Sequence, residues 1–293
     1  MINLLEVNGL TKYYGKKLGV SKVSFTLNNG EALALLGENG SGKTTTFRMI
    51  LGLLPPSHGN ILFNHAPLAS LSKSVLGYLP EERSLYKDLS VYEHLKFLGS
   101  LHKLTSFDLD WRIDDCLREL KITQYKKRKI QELSKGNQQK VQLAAAILHE
   151  PKVLILDEPF TALDIENVSL FIRVFERLKK AGVIILFSSH QLDYCEELAD
   201  RLIFLREGIV KINGRLNELK QQYPGRYLSY ANRENLALRK SEHLVLKQNK
   251  KEYFQYFVKE GLDVNQLAKA VLSHPATYEL KVEQVKIAEL IRQ

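Results

Sequence analysis

The sequence predicts an α/β domain followed by a small α+β domain, and three observations lead to that prediction. Short apolar runs bounded by polar or turn residues, at Val153–Leu156 and Val183–Phe187, are typical of buried parallel strands. Apolar residues at helical spacing in Val168–Lys180 indicate a crossover helix between them. Beyond residue 220 the pattern changes to short alternating strands and two helix-like segments. We therefore predict one domain over residues 1–220 and a second over residues 221–293.

Composition bounds the class of protein before any motif is considered. The chain has 293 residues, of which 44% are hydrophobic and 26% charged, as is ordinary for a globular protein. No apolar run approaches the roughly 20 residues that cross a bilayer, and no basic region followed by an apolar core indicates a signal peptide. Cys116 and Cys195 lie far apart, so we expect reduced thiols in a cytoplasmic protein and no structural metal site. The net charge of +9 leaves nucleic acid, an anionic membrane face or solvent alone as open interpretations of the surface.

A glycine-rich loop lies between a predicted strand, Glu31–Leu36, and a predicted helix, Thr45–Leu51. The loop fits the spacing G-x-x-x-x-G-K-[ST], in which glycines let backbone N–H groups approach phosphate oxygens closely. The lysine of such a loop reaches the β and γ phosphates, the hydroxyl that follows ligates Mg²⁺, and the helix start favours an anion. The sequence therefore predicts a nucleotide site formed by Gly37, Glu38, Asn39, Gly40, Ser41, Gly42, Lys43, Thr44 and Thr45.

A pair of carboxylates follows the apolar run Val153–Leu156. Asp157 ends this predicted strand beside the expected phosphate loop, where it would hold Mg²⁺ directly or through water. Glu158 comes next and is placed to orient and deprotonate an attacking water. A phosphate loop alone indicates only that a nucleotide binds, so it is this pair, followed by Pro159, that favours hydrolysis.

The segment Leu133–Lys140 reads Leu-Ser-Lys-Gly-Asn-Gln-Gln-Lys and predicts a helix start capped by Ser134. A free helix start with Ser and Gly donors forms a second phosphate site. With this motif the chain resembles the ATP-binding cassette (ABC) ATPases, whose signature reads Leu-Ser-Gly-Gly-Gln. In that family the signature of one subunit binds the γ-phosphate held by the other, which implies nucleotide contacts for Ser134, Lys135, Gly136 and Asn137. Lys135 and Asn137 depart from the family pattern, and Lys135 either adds a cation at the phosphate or points into water.

Four further positions match ABC elements in the order in which the family has them. Tyr14 lies where the family carries an aromatic residue that stacks on adenine, with Tyr13 as the alternative. Glu81 occupies the glutamine-loop position, where it would sense Mg²⁺ or the water with a carboxylate instead of an amide. Asp164 belongs to a segment that resembles the loop across the dimer seam, and His190 follows a strand where the family histidine contacts the γ-phosphate.

The resemblance covers about residues 3–220 and implies a P-loop NTPase fold of the ABC ATPase type. That fold has a mixed sheet core, an antiparallel β subdomain and a helical subdomain, the last expected at about residues 84–150. The small α+β domain after residue 220 is an addition, and no motif in it indicates chemistry. Glu81, the signature and the added domain are most similar to the ATPase subunits of bacterial sodium- and drug-efflux exporters.

The function that the resemblance implies is hydrolysis of ATP, with Mg²⁺, in a head-to-tail dimer of two copies or of this chain and a paralogue. Closure of that dimer around two ATP would drive a polytopic membrane permease, with this chain peripheral on the inner face of the cell membrane. The alternative is a soluble ABC-type ATPase acting on the ribosome or nucleic acid. Such proteins usually carry two cassettes or a long coiled-coil insertion, and this sequence has neither, so no nucleic-acid partner is expected.

Overall fold

The computed structural model describes residues 3–102, 104–161, 163–222, 225–239 and 241–291. The chain divides into two compact units, the first ending at Gly214 and the second beginning at Arg215. This division comes earlier than the predicted boundary after residue 220, because the short helix Leu216–Gln222 packs against the last helix of the chain, Ile287–Leu290. Tyr223 and Pro224, which contribute the turn signal for the predicted boundary, lie outside the described residues.

The first unit begins with two long strands and continues with a mixture of strands and helices. In chain order they are β1 (Leu4–Tyr14), β2 (Lys17–Asn28), β3 (Ala32–Gly37), α1 (Lys43–Ile50), β4 (His58–Phe63), β5 (Ala66–Pro67), β6 (Leu76–Leu79), α2 (Val91–Ser100), α3 (Ser106–Glu119), α4 (Lys135–Ile147), β7 (Val153–Leu156), α5 (Ile165–Lys180), β8 (Ile184–Ser188), α6 (Leu192–Leu198), β9 (Arg201–Arg206) and β10 (Ile209–Arg215).

These strands form one mixed sheet with the order β5-β4-β1-β2-β10-β9-β3-β8-β7-β6. Strands β9, β3, β8, β7 and β6 run parallel to one another, whereas β2, β1, β4 and β5 pair antiparallel. Strand β10 joins the two parts through a parallel contact with β2. The predicted mixed sheet core with an antiparallel β portion is therefore confirmed.

The parallel strands form the core of the first unit because both of their faces are covered. Every residue of β7 is fully buried, as is every residue of Ile184–Phe187 in β8. Phe171 and Phe175 of α5 are fully buried as well, and α5 packs against β8. Burying one such side chain stabilises the fold by about 1.5–3 kcal/mol, which explains why the strands are continuous apolar runs.

Helices α2, α3 and α4 pack against one another between residues 91 and 147, where the sequence predicts mostly helix. Helix α2 begins with a capping box, since the Ser90 backbone N–H donates to Glu93 at 2.9 Å and the Glu93 N–H donates to Ser90 Oγ at 3.2 Å. The hydrogen bonds from Ser90 hold the pKa of Glu93 below its usual value. Helix α3 begins at a Thr105 cap, whose Oγ1 accepts from the Asp108 N–H at 3.2 Å.

One turn in the sequence misleads about strand pairing. Asn28–Gly30 predicts a hairpin between the strands on either side of it, yet β3 pairs with β8 and β9 and not with β2. The hairpin lies one connection earlier, where β1 and β2 pair up to Tyr14 and Lys17 and Gly15 adopts a φ of 60°. A local turn signal marks a chain reversal, but the burial of β3 in the parallel core decides its neighbours.

One buried and one half-buried histidine predict that the first unit is sensitive to acid. His94 is fully buried with no hydrogen-bond partner among the described residues, and burial lowers its pKa to about 4. His149 donates from Nε2 to the Leu76 carbonyl at 2.8 Å, and burial lowers its pKa to about 4 as well. Their pKa in the unfolded chain is near 6.5, so between pH 6.5 and 4 the unfolded state binds more protons than the folded state.

We therefore expect the free energy of unfolding to fall as the pH drops from 6.5 towards 4, by up to about 3 kcal/mol for His94. Urea titrations at pH 7.5, 6 and 5 should show that the free energy of unfolding falls less with decreasing pH in His94→Leu than in the original chain. If the free energy of unfolding depends equally on pH in the two proteins, His94 does not contribute to acid sensitivity.

The second unit is a four-stranded antiparallel sheet with helices. Its elements are α7 (Leu216–Gln222), β11 (Arg226–Asn232), β12 (Leu244–Lys250), β13 (Tyr253–Val258), α8 (Val264–Leu272), β14 (Thr277–Gln284) and α9 (Ile287–Leu290). The strand order is β12-β13-β11-β14, and α8 packs on β11 and β14 over a core that includes Leu228, Tyr230, Tyr256 and Val271. The last predicted helix extends to Arg292, which lies outside the described residues.

Candidate nucleotide-binding site

A cleft of about 860 Å³ in the first unit brings together most of the residues that the sequence assigns to a nucleotide. A volume of this size is within the range of small-molecule sites. The residues that line the cleft and that the sequence assigns to the nucleotide site are Tyr14, Asn39, Gly40, Gly42, Lys43, Thr44, Thr45, Glu81, Asp157 and Glu158. The segments that carry them come from the β1–β2 hairpin, the β3–α1 loop and the carboxyl ends of β6 and β7.

The loop between β3 and α1 requires glycine at two positions. A Cβ at Gly37 would collide with the Leu205 carbonyl oxygen and with Ser41, and the φ of 151° already disfavours other residues. A Cβ at Gly42 would come within 2.9 Å of the Gly19 carbonyl oxygen, at a φ of 106°. Gly42 also caps α1 without a side chain, and α1 has no acidic residue in its first turn. The first N–H groups of α1 therefore meet no competing carboxylate of the helix itself.

Lys43 is held at the cleft by the loop itself. Its Nζ donates to the Gly37 carbonyl at 2.8 Å and to the Glu38 carbonyl at 3.1 Å, and the residue is 8% exposed. A buried ammonium group requires such partners, because desolvation without them is costly. The cation is thus already in the loop, where an incoming phosphate can exchange with the two carbonyl oxygens.

Two oxygen ligands for a hard cation lie side by side at the end of β7. The Thr44 hydroxyl donates to Asp157 Oδ2 at 3.1 Å, and Ser188 Oγ donates to Asp157 Oδ1 at 2.6 Å. Hydroxyl and carboxylate oxygens are the donors that Mg²⁺ prefers, so the residues fit this ion. The described residues hold no group of three or more His, Cys, Asp or Glu side chains that could bind a metal alone. Phosphate oxygens and water would have to complete the coordination.

Glu158 is buried and is fixed from two sides. Its backbone N–H donates to Ser188 Oγ at 2.9 Å, and His190 Nδ1 donates to its Oε2 at 2.8 Å. Its φ of 52° is in the left-handed region, where a residue other than glycine costs about 1–3 kcal/mol. The strain and both contacts aim the carboxylate into the cleft beside Asp157. His190 itself is exposed and reaches the cleft through Glu158.

The two tyrosines that are candidates for adenine stacking differ in position. Tyr14 lines the cleft, and its hydroxyl lies 3.4 Å from Thr45 Oγ1 at the start of α1. It is 48% exposed, so part of its ring is accessible to a base. Tyr13 is also exposed, but it does not line the cleft. The geometry favours Tyr14 as the stacking residue.

Glu81 lines the cleft on a loop that is fixed by an amide of α4. Gln142 Nε2 donates to the Pro80 carbonyl at 2.9 Å and to the Glu82 carbonyl at 3.1 Å, on either side of Glu81. On the preceding strand, burial and the negative charge of Asp157 raise the pKa of Tyr78 to about 12. The loop therefore connects the cleft to the helices between residues 91 and 147.

The signature residues lie away from the cleft within one chain. Ser134 caps α4 by accepting from the Asn137 N–H at 3.3 Å, and Ser134 and Lys135 are exposed. A Cβ on Gly136 would meet its nearest neighbour, Asn167, only at 3.6 Å, so packing within this chain does not require glycine there. Asp164 caps α5 by accepting from the Asn167 N–H at 2.9 Å. Among the predicted residues, those that do not line the cleft are Gly37, Glu38, Ser41, Ser134, Lys135, Gly136, Asn137, Asp164 and His190.

Several residues of the site are not assigned by the sequence. Lys17, Leu18 and Gly19 line the cleft at the start of β2, and Glu207 lines it from the β9–β10 turn. Ser188 joins Asp157 to the backbone of Glu158. Lys17, Leu18 and Gly19 could be assigned to the site from the sequence because they follow the hairpin turn after Tyr14. Ser188 could be assigned because it begins the segment that ends in His190. Glu207 carries no local signal, because its place depends on how β10 returns to the sheet.

A buried strand that ends in two carboxylates, beside a glycine loop that presents a lysine, defines the chain as a P-loop nucleoside triphosphatase. Comparison with known proteins identifies the family within this class. A family model described as ABC transporter matches residues 20–161. An ABC transporter ATP-binding protein of Methanocaldococcus jannaschii is 37% identical over 263 residues, which are 88% of this chain and 96% of the relative.

Two further similarities agree with these. The ATP-binding protein LptB of the lipopolysaccharide export system of Escherichia coli is 32% identical over 223 residues, covering 74% of this chain and 92% of the relative. The solved structure of an ATP-binding subunit of an ABC transporter has 34% identity and a TM-score of 0.70, over 75% of this chain and 92% of that chain. The chain belongs to the ABC transporter family, as an ATP-binding subunit whose hydrolysis of ATP is coupled to transport.

Proposed function

We propose that this chain uses ATP, with Mg²⁺, to power export through a separate membrane-spanning partner. The β3–α1 loop and Lys43 would bind the phosphates. Thr44 and Asp157 would hold Mg²⁺, which would neutralise charge that develops on the transferred phosphoryl group. Glu158 would orient the attacking water and accept its proton, while His190 keeps the carboxylate in place. Glu81, which follows the neighbouring strand β6, would contact the ion or the water.

The observation that carries the proposal is that the cleft lacks the signature of its own chain. Ser134 and Lys135 are exposed at the start of α4 and do not line the cleft. Packing within this chain would tolerate a side chain at Gly136, so the absence of one there suits close approach of a phosphate oxygen. A second cassette, either another copy or a paralogue, would therefore supply its signature to the γ-phosphate, so that hydrolysis requires closure of a head-to-tail dimer.

Other observations support export and a membrane partner. No helix among the described residues combines the length and apolarity needed to cross a bilayer. ABC ATP-binding subunits of transporters work with membrane permeases, and the E. coli relative is named for an export system. A place on the inner face of the cell membrane, held there by the permease, is the corresponding localisation.

Affinity purification of the tagged chain from gently solubilised membranes tests this proposal. We expect a polytopic membrane protein in stoichiometric amount, and ATP-dependent movement of its substrate out of the cytoplasmic side when both are placed in vesicles. Recovery of ribosomal proteins or nucleic acid without a membrane protein would replace the transport proposal with a ribosome- or nucleic-acid-directed ATPase. The salt dependence of any nucleic-acid binding would separate a specific complex from adsorption to a basic surface.

A further inference from the structure

Strand β14 of the second unit is an edge strand with exposed side chains on both faces. Among the described strands it pairs with β11 alone, at the end of the order β12-β13-β11-β14. Tyr278 is 53% exposed and Val282 is 40% exposed, and Glu279 and Lys281 are exposed on the opposite face. An edge of this kind presents unpaired backbone groups and is a template for another strand unless something blocks it.

The sequence of β14 is complementary to itself when it is reversed about Leu280. In that antiparallel register Glu279 stands opposite Lys281, and Tyr278 stands opposite Val282, each twice. We propose that β14 pairs antiparallel with β14 of a second copy of this chain, about a two-fold axis at Leu280. Opposite charges and an aromatic residue beside a β-branched one are the cross-strand pairs that stabilise a sheet.

Neighbouring registers do not offer the same complementarity. Centring the two-fold axis at Glu279 places Glu279 opposite itself, and centring it at Lys281 places Lys281 opposite itself and Glu279 opposite Glu283. Like charges that are directly opposite destabilise a strand pair. Centring it at Val282 pairs Lys281 with Glu283, but Tyr278 and Glu279 then stand opposite residues of the second copy that lie beyond Gln284, where the strand ends. The register about Leu280 therefore pairs the most residues without repulsion.

The packing of the second unit is compatible with this joined sheet. Residues opposite each other in an antiparallel pair point to the same face, so the α8 helices of both copies would cover one face. Leu280 packs against the core that includes Val271 of α8, which identifies that face. On the other face Lys281 now contacts Glu283 of its own strand at 2.7 Å, with side chains 64% and 36% exposed. An exposed pair of this kind is worth little, so Lys281 can exchange it for the partner's carboxylate.

A charge exchange tests the pairing in the full chain without nucleotide, where closure around ATP does not contribute. Analytical ultracentrifugation should show a concentration-dependent dimer for the original chain. Glu279→Lys and Lys281→Glu each turn both attractive pairs into repulsive ones, and each should weaken the dimer by about tenfold or more. The double variant E279K/K281E restores opposite charges and should restore the dimer.

Glu260→Lys is the matched control, because Glu260 is exposed in the same unit but lies outside β14. It should leave the dimer unchanged, and thermal unfolding of every variant should show that the second unit still folds. A monomeric original chain, or single variants that associate as the original does, would overturn the proposal.

Cysteine cross-linking tests the register independently of affinity. A mixture of Glu279→Cys and Lys281→Cys chains should form intermolecular disulfides, whereas each variant alone should form few. In the proposed register residue 279 faces residue 281, and its diagonal distance to the other residue 279 is about 7–8 Å, too long for a disulfide. Burial raises the pKa of the native thiols Cys116 and Cys195 to about 12, which keeps their background low. Equal cross-linking in all three samples, or cross-links only to a different protein, would contradict self-pairing of β14.

Discussion

Replacing Glu158 by Gln is expected to lower the rate of ATP hydrolysis by a factor of about 10² to 10⁴ while ATP still binds. The amide has the shape of the carboxylate and still accepts a hydrogen bond from His190 Nδ1, which lies 2.8 Å from Oε2. It has no basic oxygen that can take the proton of water. The backbone contact with Ser188 does not involve the substituted side chain and should persist.

Steady-state hydrolysis and equilibrium binding of ATP, measured on the same preparation, separate these two effects. With hydrolysis blocked, ATP should hold a closed dimer long enough for size-exclusion chromatography to detect it. Glu207→Gln is the matched control, since Glu207 also lines the cleft and also has a positive φ, of 53°. It should hydrolyse ATP at nearly the original rate. Normal turnover by Glu158→Gln would show that another group activates the water.

The parts of the molecule that sequence predicts well are those that one continuous segment determines. The β3–α1 loop needs glycine at positions 37 and 42 because of its own φ angles and close contacts, so its spacing is visible in the chain. The strand β7 is apolar at every position because both of its faces are buried, and the carboxylates follow directly after it. Fold class and the position of the cleft follow from such segments.

The parts that sequence does not predict depend on segments that are distant along the chain. Ser188 holds Asp157 although 31 positions separate them, and Gln142 fixes the loop of Glu81 from 60 or more positions away. Nothing within either segment specifies these hydrogen bonds, because they arise only when β7, β8 and α4 pack. The Asn28–Gly30 turn fails as a hairpin signal for the same reason, since tertiary burial chooses the partners of β3.

Lys43→Ala is expected to weaken ATP binding by a factor of about 10² or more, and hydrolysis should fall below detection with it. Charge-assisted hydrogen bonds to phosphate are among the stronger polar contacts, and Lys43 is only 8% exposed, so screening by solvent is weak. The Gly37 and Glu38 carbonyl oxygens would lose their donor and face incoming phosphate oxygens directly. Repulsion between these oxygens adds to the lost attraction.

Lys17→Ala distinguishes this specific role from a general need for positive charge, because Lys17 also lines the cleft but is exposed. An exposed ammonium group contributes at most a screened attraction, so this variant should bind ATP only a few-fold more weakly at physiological salt. Titration with a fluorescent ATP analogue at two salt concentrations measures both variants. The Lys43→Ala defect should persist at high salt, whereas any Lys17→Ala defect should shrink. Equal defects that both disappear with salt would mean that the cleft attracts nucleotide by its overall charge and that Lys43 has no special contact with phosphate.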